Sequence, residues 1–306
     1  GATVSGLSGN ILGTGGSGTL GAAIVRTAER EGWDCIFTIY SRSELRQAQM
    51  RAKHPRCRYV LGDVRDYDRL AAAVAGHDVA IHAAAMKRLP DAEAQPQNCY
   101  EVNVQGSANV ARACLAQSVG LAIAVSTDKA CRAISVYGHS KGLMEGIWRA
   151  QPEGITRFVG VRYGNVVASN GSVIPIWRAQ ATAGHSLTVT DPAMTRFWMP
   201  PSAAVRLLCD AAGLPSGVFL VPKMGALSIG EMAAIVAPGA ALAVTGLRSI
   251  EKAHEDLVHP DEPATEARDY YHVGGGFTGH RYSSDTAPRL SKDTFLAMLE
   301  EAASYE

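Results

Sequence analysis

Asn10-Ile11-Leu12-Gly13-Thr14-Gly15-Gly16-Ser17-Gly18-Thr19-Leu20-Gly21 is the stretch that decides the fold. A short apolar strand, Asn10–Leu12, runs into a glycine-rich turn, and an amphipathic helix is predicted over Leu20–Glu31. A dinucleotide pyrophosphate needs bare backbone N–H groups at a helix N-terminus, and side chains there would block its approach. Glycine supplies the turn, the close approach and the helix–strand packing. A glycine triplet alone is weak, but one placed after a first strand and before a helix meets the structural context for a cofactor cradle. Gly15, Gly18, Thr19, Leu20 and Gly21 are the expected contacts.

Working outward, further strands are predicted at Asp34–Tyr40, Arg58–Leu61, Val79–His82, Leu121–Ser126 and Phe158–Arg162. Between them lie amphipathic stretches at Ser43–Lys53, Asp66–Ala75, Gln95–Ala116 and His139–Ala150. Alternation at this spacing reads as an α/β fold, a Rossmann-type doubly wound parallel sheet covered on both faces. Its strands are continuously apolar, as double-sided burial requires. After about Val166 the pattern loosens into short apolar runs (186–190, 218–222, 241–245) and helices at 202–212 and 228–237. A last helix starts at an N-capping Ser291. The expected division is a dinucleotide-binding domain over 1–166, with a returning segment at about 196–222, and a smaller, interleaved C-terminal α/β substrate lobe over 167–306. The glycines at 274–276 read as a break.

The chain has 306 residues, with Lys+Arg and Asp+Glu both 29, so the formal charge is zero. A neutral chain lacks the basic footprint that a phosphate backbone demands, and no nucleic-acid partner is expected. No run of 18 apolar residues occurs, and 1–10 carry no basic, long-apolar leader, so neither a membrane span nor a signal peptide is expected. The six cysteines include no C-x-x-C pair, which reads as buried reduced thiols in a cytoplasmic protein. No metal site is expected.

The tip of the second strand offers Ser41-Arg42-Ser43-Glu44. A carboxylate directly at that tip would hold a ribose 2′-hydroxyl and select NAD. A hydroxyl and a guanidinium suit a 2′-phosphate, because Arg chelates it and Ser donates to it, so NADP is favoured and NAD is the alternative. Asp63 and Val64 follow the third strand near the adenine, and Ala83 and Ala84 offer small residues where the dinucleotide lies against backbone.

The fifth strand ends in Ser126-Thr127-Asp128-Lys129, and Tyr137-Gly138-His139-Ser140-Lys141 follows. Tyr137 and Lys141, four apart, share one helix face. A cation beside the phenol favours phenolate, lowering a pKa from about 10 toward neutrality. Such a pair takes a proton from a sugar hydroxyl while hydride leaves the same carbon. An acid and an amine at the strand end, Asp128 and Lys129, divide two further proton transfers. Beside a ketone at C4, a neutral amine removes the acidic C5 proton, and a protonated carboxyl hands its proton to a departing C6 hydroxyl.

Eleven stretches run in one order: TGGSGTLG (14–21), SRSELRQ (41–47), GDVRD (62–66), HAAAMKRLPDAE (82–93), VNVQG (102–106), STDKA (126–130), YGHSK (137–141), VRYGNVVASNGSVIP (161–175), TDPAMTRFW (190–198), VPK (221–223) and EKAHE (251–255). Together they resemble the extended short-chain dehydrogenase/reductases, specifically the UDP-N-acetylglucosamine 4,6-dehydratases that invert C5, over about residues 8 to 290. The resemblance implies that Tyr137 and Lys141 act at O4 as hydride passes from C4 to NADP. It implies that Lys129 takes the C5 proton, Asp128 protonates the C6 hydroxyl and Thr127 orients the 4-oxygen. Hydride then returns to C6 and C5 is reprotonated from the opposite face, giving UDP-2-acetamido-2,6-dideoxy-β-L-arabino-hex-4-ulose.

By position, the resemblance also implies a UDP-sugar substrate held by Lys87 near the sugar and by Asn165 and 172–174 (Val173 among them) at the nucleotide wall. Arg196 and Arg248 become diphosphate clamps, and Glu255 a ribose or uracil contact. Three stretches depart from the pattern: Ser43 replaces an Asp, Arg248-Ser249-Ile250-Glu251-Lys252 lacks a Pro and a Gly, and Lys87-Arg88-Leu89-Pro90 carries an extra cation. A homo-oligomer, dimer or higher, is expected from the resemblance and the apolar helices 95–116 and 139–150. The alternatives are a UDP-sugar 4-epimerase, a bifunctional dehydratase/5-epimerase and a non-catalytic NADP sensor.

Overall fold

The computed structural model describes residues 6–167, 173–276, 279 and 281–305. The first residues of the chain and Ser172 lie outside the described residues.

Six strands build the first half: β1 (Gly9–Thr14), β2 (Cys35–Ser41), β3 (Arg58–Leu61), β4 (Val79–His82), β5 (Leu121–Thr127) and β6 (Arg157–Tyr163). They pair in parallel in the order β3-β2-β1-β4-β5-β6. This is the doubly wound order that reverses between β1 and β4, where ligands settle at the strand C-termini. The helices are α1 (Thr19–Glu31), α2 (Glu44–Lys53), α3 (Tyr67–Val74), α4 (Leu89–Ala94), α5 (Pro96–Tyr100), α6 (Gly106–Ala116) and α7 (Val136–Arg149). Their starts are written in the sequence: Ser43, Asp66 and Ser135 each accept a backbone N–H three residues on.

Gln95–Ala116 is not the single helix predicted. Between α5 and α6 the backbone widens into a π-turn, Glu101–Gln105. The widening serves the buried Asn103, whose Oδ1 accepts from Met86 N at 2.7 Å and whose Nδ2 donates to Ser140 Oγ at 2.9 Å.

Past β6 the chain alternates between two sheets. The short strands are β7 (Asn165–Val166), β8 (Leu187–Val189), β9 (Thr195–Met199), β10 (Phe219–Pro222), β11 (Ala226–Ser228), β12 (Leu242–Val244), β13 (Asp256–Val258), β14 (Ala264–Glu266), β15 (Tyr270–Val273) and β16 (Tyr282–Ser283). β10 joins the large sheet parallel to β6, and β15 and β14 extend it antiparallel, so 264–273 return along with 219–222. β9 pairs instead with β11 and β7. α8 (Val173–Thr182), α10 (Ile229–Val236) and α11 (Lys292–Ala303) cover the lobe, while α9 (Pro201–Ala211) packs back on α1. Ser228 and Glu231 form a reciprocal capping box on α10. The glycine run after β15 is a tight turn, with φ of 106° at Gly274 and 84° at Gly276.

The large core fills both faces of the main sheet, and a smaller one around Trp177, Trp198, Met232 and Phe295 holds the lobe together. All six cysteines are free. Among the described residues no helix is long and apolar enough to cross a membrane, and no group of three His, Cys, Asp or Glu is disposed to hold a metal ion.

Candidate active site

A cleft of about 690 Å³ opens along the C-terminal ends of the parallel strands. At one end is the glycine turn. Gly15 has φ +67°, and a Cβ there would stand 2.8 Å from the backbone of Ala84. A Cβ on Gly21 would meet the carbonyl of Gly16 at 1.9 Å, so the helix seats directly on the turn. Gly16, absent from the expected set, is as constrained, its Cβ 2.7 Å from Gly13 O. Gly18 caps α1 with no side-chain acceptor, and its Cβ would meet only Gly15 O at 3.2 Å. The helix N-terminus therefore faces the cleft bare, a cradle that a larger residue would fill and that fits a pyrophosphate.

Thr19, Leu20, Ser41, Arg42, Val64, Ala83 and Ala84 line the same cleft. Ser41 Oγ accepts from Ser17 Oγ at 2.9 Å and from Gln47 Nε2 at 3.0 Å. Arg46, one helical turn past Arg42, also lines it and was not singled out from sequence. Its signal was there, since Ser43 caps α2 and the first turn of that helix carries Arg46 beside Arg42 at the tip of β2. Asp63 departs from expectation. Its carboxylate is gripped by Arg65, 2.7 Å from Nη2 to Oδ2, and stands outside the cleft lining. Burial works against its charge, but Arg65 outweighs it and holds the carboxyl below the usual range.

At the other end, Thr127, Lys129, Tyr137 and Lys141 line the cleft together. β5 ends at Thr127, whose Oγ1 caps a single 3-10 turn carrying Asp128 and Lys129. Lys129 Nζ lies 3.0 Å from Asp128 Oδ1, and Thr127 Oγ1 donates to the same oxygen at 2.9 Å. Asp128 is 0% exposed, so it reaches the cleft through these two neighbours, not directly. Its Oδ2 has no partner, and a Cβ on Gly164 would come within 3.1 Å of it.

The electrostatics revise two expectations. Burial raises the Asp128 pKa and Glu255 adds to the rise, against Lys129, so this carboxylate takes up a proton more readily than a free one. Burial also opposes charge on Lys129, but Asp128 and Glu255 outweigh it and raise its pKa. Lys129 thus rests as an ammonium, not as the neutral amine expected. Tyr137 is pushed up to about 12 by burial, with Lys129 the largest opposing influence. Lys141 is brought down to about 8 by burial, partly offset by Glu145. Phenolate at neutral pH therefore requires more positive charge than these side chains supply alone.

The remaining substrate expectations divide. Lys87 and Asn165 line the cleft. Val173 opens α8 and packs on the lobe core. Arg196 turns its guanidinium onto main-chain carbonyls of Thr195 at 2.7 Å and Lys252 at 2.9 Å. Arg248 is exposed, outside the cleft lining. Glu255, expected on a ribose or uracil, is 2% exposed and paired with Lys129 at 3.5 Å and Lys252 at 3.2 Å, because these two half-buried lysines claim its charge.

Residues 11–273 match a polysaccharide biosynthesis protein family. The chain belongs to this family. Over 274 residues it is 37% identical to a UDP-N-acetylglucosamine 4,6-dehydratase (inverting) from Campylobacter jejuni subsp. jejuni serotype O:2, covering 86% of this chain and 82% of that one. It is 36% identical over 277 residues to a UDP-glucose 4-epimerase from Rickettsia canadensis, covering 85% and 81%. The X-ray structure of Pen from Bacillus thuringiensis superposes with a TM-score of 0.88 at 28% identity, covering 97% of this chain and 98% of that one. This polysaccharide biosynthesis family member therefore carries the Rossmann-type fold of the short-chain dehydrogenase/reductases.

Proposed function

We propose that this chain is an NADP-dependent UDP-N-acetylglucosamine 4,6-dehydratase that inverts C5 and yields a UDP-4-keto-6-deoxy sugar. The observation that carries the reading is the Asp128–Lys129 contact at the end of β5, in the same site as Tyr137, Lys141 and the glycine cradle. Simple 4-epimerisation asks for no acid–base pair at C5 and C6. The inverting dehydratase from Campylobacter jejuni supports the same substrate.

Gly15, Gly18 and Gly21 would hold the dinucleotide pyrophosphate. Arg42 and Arg46 support NADP over NAD, since both line the cleft and, among the described residues, no carboxylate does. A dinucleotide held there would supply hydride chemistry, as acceptor toward C4 and donor toward C6. Tyr137 takes the O4 proton, helped by Lys141. Moving one proton across the 3.0 Å from Lys129 Nζ to Asp128 Oδ1 converts the resting ion pair into a neutral amine and a protonated carboxyl. The amine then takes the C5 proton, and the C5–H electrons form C5=C6. The C6–O bond breaks as the carboxyl proton reaches the leaving hydroxyl by way of Thr127, and water departs. Lys129 and Asp128 are then again an ion pair, and once hydride is given back at C6 the resulting enolate takes a proton at C5 from water on the face opposite Lys129, which inverts that centre.

Lys87 and Asn165 would contact the sugar and nucleotide. Six free thiols support a cytoplasmic setting. Tyr100, Leu115 and Leu143, exposed on α5, α6 and α7, support a homo-oligomer.

The test is incubation with UDP-N-acetylglucosamine and no added cofactor, with products read by mass. Loss of one water without net NADPH is expected. An isobaric product would make the chain an epimerase, and bound NADP without turnover would make it a sensor.

A further inference from the structure

Lys129 is held from two sides. Asp128 Oδ1 stands at 3.0 Å, and Glu255 Oε1 at 3.5 Å from across the lobe boundary. Glu255 sits on the segment before β13, and the fold spends several contacts on fixing it. Its backbone N–H donates to Ser284 Oγ at 2.9 Å, and its carbonyl accepts from Ser283 Oγ. Lys252 meets its carboxylate at 3.2 Å while donating to Cys131 O at 2.6 Å. The carboxylate is thus tied through Lys252 to the far end of the same turn that carries Asp128 and Lys129.

We propose that Glu255 is the third member of the catalytic charge cluster, a positioning residue that holds the Lys129 amine and sets the pH window in which the Asp128–Lys129 pair works. The proposal rests on the dehydratase reading.

The charged groups around it are Asp128 and Lys129 on the turn, Lys252 on its own segment, and Arg196 on β9. His254 faces away, its Nδ1 2.8 Å from Thr195 Oγ1, and Asp256 is taken by Arg281 and Arg132. Burial opposes the Glu255 charge, but Lys129, Lys252 and Arg196 outweigh it, so the carboxylate stays ionised.

The working pair carries one proton between its two groups. Gaining a second on Asp128 ends activity at low pH, and losing the last from Lys129 ends it at high pH. An anion 3.5 Å away raises both limits, whichever group holds the proton. Removing that anion therefore moves the whole profile toward acid. Removing Lys252, a cation in the same cluster, moves it the other way.

The experiment measures water loss from UDP-N-acetylglucosamine by mass across pH 5 to 10 for the parent, Glu255→Gln, Glu255→Asp and Lys252→Gln. Glu255→Gln is expected to shift the acid limb, the one that falls within this range, down by about one pH unit. Glu255→Asp keeps the limbs in place and lowers kcat, because the shorter side chain withdraws from Nζ. Lys252→Gln shifts the acid limb up, and it decides the matter if Glu255→Gln does not fold. Limbs unmoved in both neutralised variants, with only kcat lower, would overturn the proposal and leave Glu255 a merely structural residue. A parent that loses no water from this substrate would sink the dehydratase reading instead.

Discussion

Arg162 meets Glu145 through two bonds, 2.9 Å from Nε to Oε1 and 2.6 Å from Nη2 to Oε2, with both side chains out of solvent. The same guanidinium reaches Glu262 at 2.7 Å and the carbonyl of Leu257 at 2.9 Å. Ser126 Oγ donates to Glu145 at 2.6 Å. One buried cation therefore ties β6 and α7 to the segment that follows Glu255, and β5 joins through Ser126. Burial would raise the Glu145 pKa, but Arg162 outweighs it and holds the carboxyl below its usual range.

Glu145→Gln should destabilise the protein by about 3 to 5 kcal/mol, because half of a buried pair is neutralised while Arg162 keeps its charge. Urea unfolding at pH 7.5 measures it. A loss under about 1 kcal/mol would mean that Glu262 satisfies Arg162 alone.

His82 predicts how stability depends on acid. Its Nδ1 lies 2.7 Å from Thr14 Oγ1, its Nε2 lies 2.9 Å from Ser107 Oγ, and its ring stacks on Trp148. Burial, with Lys141 adding to it, brings its pKa down to about 3 from an ordinary 6.5. Between those values the unfolded chain binds the proton and the folded one does not. This contribution is therefore complete above pH 6.5 and is lost as pH falls. The stability gap between parent and His82→Gln should be about 2 to 3 kcal/mol smaller at pH 4.5 than at pH 7.5. Equal gaps at the two pH values would show that His82 is not held neutral.

Local patterns carried most of the fold. The central parallel strands β1, β2, β4, β5 and β6 were legible because double-sided burial makes them apolar, while the short strands β7, β9, β11 and β13–β16 were not; the helix starts were legible because Ser43, Asp66, Ser228 and Ser291 are N-caps. The cleft residues on β1, β5 and α7 were legible because glycine spacing and a four-residue helical repeat are local signals. What stayed hidden depends on long-range packing. Glu255 lies 126 positions from Lys129, yet burial between two lysines fixes its part. No spacing rule foretells the π-turn at Glu101–Gln105, which follows from Asn103 needing partners on Met86 and Ser140. The charge on Lys129 could not be read from the Asp-Lys dipeptide, because its second carboxylate comes from a segment far along the chain.

The proposed preference for NADP rests on the tip of β2. Arg42 is more than half exposed, and Asp63, the carboxylate nearest to it, stands 3.9 Å away and is already taken by Arg65. Arg42→Ala should weaken NADP binding at least about tenfold and leave NAD nearly unchanged, since only the 2′-phosphate differs between them. Arg46→Ala should act in the same direction. Calorimetry with each dinucleotide measures both. Equal weakening of NADP and NAD would place Arg42 on the shared part of the cofactor.

Lys129 and Tyr137 should fail at different steps, which separates their roles. Lys129→Ala removes the proposed C5 base and leaves Tyr137, Lys141 and the glycine cradle in place. Reduced nicotinamide should then build up on the enzyme at 340 nm when substrate is added, while water loss falls about 10²- to 10⁴-fold. Tyr137→Phe stops the earlier step, so neither reduced cofactor nor dehydrated product should form. Its phenol is held up at about 12 by burial against the lowering influence of Lys129. Losing that charge in Lys129→Ala should also move the acid limb of C4 oxidation to higher pH, because phenolate then becomes harder to reach. If Lys129→Ala dehydrates at the parent rate, the base lies elsewhere. If Tyr137→Phe reduces the cofactor normally, O4 loses its proton to another group.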